Sequence, residues 1–156
     1  MYSDVAKGTV WGVGIGDQMI TSNLTYSIGV RVFETAVALD NRRISTNSEN
    51  LLITMYENAS FVGGTQMPVI NRNRITPREN QRPVDVYRDV AAIVTPNNII
   101  GRTAIKNGRR ESKNDPFSQL DEFILEPNST YIIQFYNDWT SDCEVDFTSV
   151  IREVEV

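Results

Sequence analysis

Leu24-Thr25-Tyr26-Ser27-Ile28-Gly29-Val30-Arg31-Val32-Phe33 is the stretch whose reading decides the fold. Leu24, Tyr26, Ile28, Val30 and Val32 fall on one face, and Thr25, Ser27, Gly29 and Arg31 on the other. A period of two marks a half-buried strand. The same period recurs outward from it. Trp11, Val13 and Ile15 alternate with small residues. Leu51 to Tyr56 is a short apolar run, and Thr130 to Tyr136 is dense in β-branched and aromatic side chains. Cys143, Val145 and Phe147, then Val150, Ile151 and Val154, give a last strand with a bulge near Ser149. No segment holds a helical period. The predicted fold is therefore all-β, an antiparallel β-sandwich or jelly roll.

The 156 residues are enough for one domain with a real core. Residues 1–8 carry no pattern and are predicted to be an N-terminal arm, leaving 9–156 as a single sandwich domain. Asn41 to Asn50 is polar and reads as a loop. After Leu51–Tyr56, Gly63-Gly64 supplies a turn at positive φ and Met67 to Ile70 is extended, which together predict a hairpin-like unit. Pro77 and Pro83 bracket a projecting loop. Lys106 to Pro116 is a second exposed loop, and Glu126-Pro127-Asn128-Ser129 is a tight turn.

The chain has no histidine and one cysteine. That removes the Ser-His-Asp and Cys-His devices, the usual zinc sites and any internal disulfide. Cys143, set between Asp142 and Glu144, is in the wrong company for a nucleophile. The expectation is a protein without catalytic activity, cofactor or metal. Asp138, Asp142, Glu144 and Asp146 lack the ligand order of a known calcium loop. Gly12, Gly14 and Gly16 imitate part of a dinucleotide fingerprint, but no suitable helix follows. Glycines in such a strand suit close approach by another backbone. Asn23, Asn58 and Asn128 head glycosylation patterns read as chance matches, because the first residues do not form a signal peptide. No run is apolar and long enough for a membrane helix.

The net charge of −5 hides an uneven distribution. Residues 70–113 carry ten basic and four acidic side chains, whereas 114–156 carry one basic and ten acidic. A nucleic-acid binder keeps a net basic domain, and this chain does not. Either the two segments neighbour each other within the fold, or the basic loop of one copy meets the acidic edge of another copy or of a partner.

Tyr56-Glu57, Gly63-Gly64-Thr65 and Asn71-Arg72-Asn73-Arg74, followed by Leu125-Glu126-Pro127-Asn128-Ser129-Thr130-Tyr131, resemble motifs of small virion proteins of tailed bacteriophages. The resemblance covers about residues 50–150. It is loose over Arg102 to Lys113, where the family is richer in glycine and lysine. It implies a β-sandwich or jelly roll on the outer surface of the capsid: a decoration or cement protein whose partner is the major capsid protein. Arg72 and Arg74 alternate, which predicts one shared sheet face. They either pair with the acidic final strands or reach a capsid surface, where a guanidinium fork suits a carboxylate. Arg78, Arg82, Arg109 and Arg110 extend that basic set, and Trp11 and Trp139 are the candidate apolar anchors. The charge division predicts a homo-oligomer, with a trimer favoured by three-fold points on a shell. The competing reading is a carbohydrate-binding sandwich of a tail or host-attachment component, for which Trp139 and Phe117 are the only loop aromatics that qualify; that scarcity favours the capsid reading.

Overall fold

The computed structural model describes residues 2–76, 78–106 and 123–155. Eight strands build the frame: β1 (Val10–Ile20), β2 (Thr25–Val32), β3 (Val37–Thr46), β4 (Asn50–Tyr56), β10 (Ile99–Lys106), β11 (Phe123–Leu125), β12 (Thr130–Asn137) and β13 (Cys143–Glu153). The connection between β4 and β10 holds five short ones: β5 (Ser60–Val62), β6 (Thr65–Met67), β7 (Ile70–Asn71), β8 (Val84–Arg88) and β9 (Ala91–Ile93). Sheet 1 runs β11-β3-β13-β1-β7 and sheet 2 runs β10-β4-β12-β2-β8-β6. Every pairing is antiparallel. Without the inserted strands the order is β11-β3-β13-β1 over β10-β4-β12-β2, which is the eight-stranded jelly roll of two Greek keys.

The alternating residues fill the space between the sheets. Trp11, Ile28, Leu51, Ile53, Phe135 and Ile151 are all fully buried in one core cluster. Phe135 and Phe147, from opposite sheets, meet edge to face with centroids 6.0 Å apart. The bulge falls where the sequence puts it: the β3–β13 register shifts between Thr148 and Val150.

The insertion does two structural jobs. β7 lengthens sheet 1 beside β1, while β8 and β6 lengthen sheet 2 beside β2, so short strands close both sheets on that side. β5 and β9 form a third, two-stranded layer on the outer face of sheet 2. Phe61 and Val90 there pack on Tyr56 and Ile132. The side of β2 that reads as solvent-facing is thus covered, and Ser27 and Gly29 are buried. Arg31 lies over the rings of Phe61 and Tyr87, at 4.4 and 5.3 Å from their centroids.

Four expectations need correction. Tyr2–Lys7, where the sequence shows no pattern, form a short helix, α1. Gly8 closes it at φ +74°, and the Thr9 amide donates to the Asp4 carbonyl. Residues 41–46 continue β3 because Ile44 and Thr46 point inward while polar neighbours face out. The hairpin unit does not exist: β4 pairs with β10 and β12, β5 with β9, and β6 with β8. Gly63 and Gly64 do take positive φ, but they turn the chain from one layer to another. Of the predicted projecting loop, residues 78–83 are drawn in by a 3-10 turn at Glu79–Gln81 and by the contacts of Arg78 and Arg82.

Candidate functional site

Asn71-Arg72-Asn73-Arg74 divides its labour by residue type. The asparagines build the turn. Asn71 is fully buried; its Nδ2 donates to the Gly8 carbonyl at 2.7 Å and its Oδ1 accepts from the Asn73 amide at 2.9 Å. Asn73 Oδ1 then accepts from the amides of Ile75 and Thr76, both at 3.1 Å, and its Nδ2 donates to Thr76 Oγ1. Two successive side-chain-to-backbone turns replace the strand that the alternation predicts. The arginines therefore do not share a sheet face. Arg72 lies across Gly12 of β1, with Nε 3.5 Å from where a Cβ would stand. Arg74 turns the other way, donates to the Asn71 carbonyl at 3.4 Å, and helps line a groove of ≈ 520 Å³. Met67, Pro68, Val69 and Ile70 supply apolar surface in that groove, and Arg74 and Arg82 supply positive charge. Ile75, next to it in sequence, is 94% exposed.

The remaining arginines divide further. Arg78 crosses to Glu153 on β13 at 3.3 Å, donates to the Gly8 carbonyl and bonds Gln81. The pairing of basic loop with acidic last strand thus occurs within the chain, through Arg78. Arg82 pairs with Asp85 at 2.6 Å. Arg109 and Arg110 lie outside the described residues.

Neither tryptophan is a free anchor. Trp11 is fully buried, because it sits on the inward face of β1 between β13 and β7. Trp139, in the turn between β12 and β13, is half-buried and packs on the core edge. Sequence reading missed Ile75, whose only signal is an apolar residue in an otherwise polar turn.

The acidic residues near the end of the chain are dispersed. Asp138 accepts from Asn50 Nδ2, Asp142 accepts from the Ser22 amide, and Glu144 and Asp146 stand on the outer face of β13. Among the described residues no three acidic or cysteine side chains gather as metal ligands. Burial pushes the Cys143 thiol pKa up, partly opposed by hydrogen bonds with Thr46 and Ser48. Burial is the main cause and the neighbouring Asp142 a lesser one.

No protein-family model matches the chain, and no curated protein matches it. Among solved structures it is similar to that of infectious bursal disease virus Gt strain, at 13% identity over 93% of this chain and 40% of that one, with a TM-score of 0.24. It is also similar to the infectious bursal disease virus VP2 subviral particle, at 12% identity over 93% and 41%, again with a TM-score of 0.24. The chain spans about two fifths of the length of those chains. Overlap at that level assigns neither ancestry nor activity.

Proposed function

We propose that this chain is a structural protein of a tailed-phage virion, of the decoration or cement type, and that it grips the outside of the capsid through the β4–β10 insertion. The observation that carries this reading is Ile75. An isoleucine exposed this fully, fixed by the Asn73 turn and next in sequence to Arg74 of the groove, is built as a contact. Fixing a loop before binding reduces the entropy lost on binding. Arginine is enriched in interfaces and among the residues that carry most of their binding energy. The jelly roll itself occurs in capsid proteins, lectins and cupins alike, so it supports the reading only by analogy. The motif resemblance at Gly63-Gly64-Thr65 and Asn71-Arg72-Asn73-Arg74 falls on this same insertion.

Co-sedimentation with empty capsids of the source phage tests the proposal. Wild type should pellet with shells. Ile75→Ser and Arg74→Glu should each weaken binding by about tenfold or more, the size of one good contact. Retention on a glycan column, with no binding to shells, would replace this reading with the carbohydrate-binding one.

A further inference from the structure

We infer that the outer face of sheet 1 is a self-complementary surface on which two copies of this chain pair face to face. The face has two unlike ends joined by a track of glycines bordered by Thr148 and Asp146 of β13. Along β1, Trp11, Val13 and Ile15 point into the core, so Gly12, Gly14 and Gly16 point out. Gly14 and Gly16 are exposed, and among the described residues only Thr148 and Phe147 at Gly14, and Asp146 at Gly16, come within 4 Å of where a Cβ would stand. At one end Ile70 pairs with Gly12 and is 49% exposed, and Arg72 lies beside it over Gly12. At the other end Met19 pairs with Glu144 across β1 and β13, and both are exposed, Met19 by 52%. Paired residues share a face, so each end joins an aliphatic side chain to a charge, positive at one end and negative at the other.

A two-fold axis lying in the interface and crossing β1 near its middle reverses one copy along the strand. Ile70 and Arg72 of one copy then meet Met19 and Glu144 of the other, twice over. This is the isologous arrangement in which one patch completes itself. The glycines let two sheets approach closely at the centre. With a β1 of 11 residues, the face is ~35 Å long; about three strands wide, it offers roughly 500 Å² per copy. That is at the low end for a specific interface, so the dimer should be reversible and sensitive to salt. The expected three-fold assembly drew on basic and acidic segments as separate surfaces. With both charges on one face, two copies close the contact.

Sedimentation equilibrium of the pure protein, without shells, tests this independently of capsid binding. At low salt the mass should approach twice the 17.6 kDa of one chain, and about 0.5 M salt should weaken the dimer by roughly tenfold. Gly16→Arg should leave a folded monomer, since a Cβ there meets only Asp146 Oδ1 at an ordinary 3.8 Å. Arg72→Glu and Glu144→Arg should each weaken dimerisation, and combining them in one chain should restore it. If Gly16→Arg fails to fold, the charge exchange decides alone. A monomer at all concentrations, a trimer, a dimer indifferent to these changes, or a combined variant that does not recover would each overturn the inference.

Discussion

The ring of Phe61 rests on Gly29, so close that a Cβ added to Gly29 would lie within 3.0 Å of three ring atoms. This contact fastens the β5–β9 layer to sheet 2. Gly29→Ala must push Phe61 away and should cost about 1–3 kcal/mol, as overpacking does. Phe61→Ala should cost about 3–5 kcal/mol by leaving a cavity and removing the ring on which Arg31 rests. Chemical denaturation measures both. In Gly29→Ala with Phe61→Leu the losses should sum to less than their separate values, because the two residues share one space.

Asn137 should be the most costly polar residue to replace. It is fully buried at one end of the sandwich. Its Nδ2 donates to the carbonyls of Ile20 and Ser141, and its Oδ1 accepts from Ser48 Oγ, so one amide ties three turns together. Asn137→Leu strands these partners and should lower stability by about 2–4 kcal/mol in urea melts. Asn50→Ala, which loses a bond to exposed Asp138, should cost less than about 1 kcal/mol.

Stability should fall at alkaline pH through Tyr26. Burial, and after it the charge of Asp89, pushes its hydroxyl up to about 12 from 10.0. A pKa raised on folding means the neutral form is the one the fold prefers. The stabilisation is complete below pH 10 and is lost as pH rises toward 12. About two pH units correspond to on the order of 2 kcal/mol. Tyr26→Phe should flatten the loss between pH 10 and 12 without abolishing it, since burial also raises the Tyr131 pKa.

Asn73→Ala should separate affinity from stability. It removes the acceptor for the Ile75 and Thr76 amides in an exposed turn, so the melting temperature should barely move. The loop would then have to be ordered on binding, and shell affinity should drop by roughly three- to tenfold. A variant that binds shells as wild type does would show that the preset turn contributes nothing.

The frame of the fold was legible because its strands bury one face each: Trp11, Val13 and Ile15 in β1, and Cys143, Val145 and Phe147 in β13. The insertion was not. β5, β6, β7 and β9 are two or three residues long, too short to show a period, and their partners lie far off in sequence. β3 was hidden because its alternation breaks opposite the β13 bulge, where Asp40-Asn41-Arg42-Arg43 make an unbroken polar run. Among the candidate residues, Arg74 and Arg82 were singled out by type alone, and the structure places both along one groove. Trp11 was misjudged because composition cannot tell an inward from an outward aromatic; its neighbours Val13 and Ile15, on the same face, held that information. The three asparagines of the glycosylation patterns have a conformational reason to be there. Asn23, Asn58 and Asn128 all sit at positive φ, between 46° and 61°, where asparagine is tolerated better than most residues.

The place of β13, between β3 and β1, governs when the molecule can fold. Until residues 143–153 have been made, sheet 1 has a gap at its centre. The inward faces of β1 and β3 must wait with two unpaired edges, although both strands leave the ribosome before β13. At about 5–20 residues per second the wait lasts on the order of ten seconds. During it the strand bearing Trp11, Val13 and Ile15 has its longest exposure to other chains. Chaperone capture and inclusion-body formation should therefore respond to translation speed across the β4–β10 insertion more than to the equilibrium stability of the finished protein.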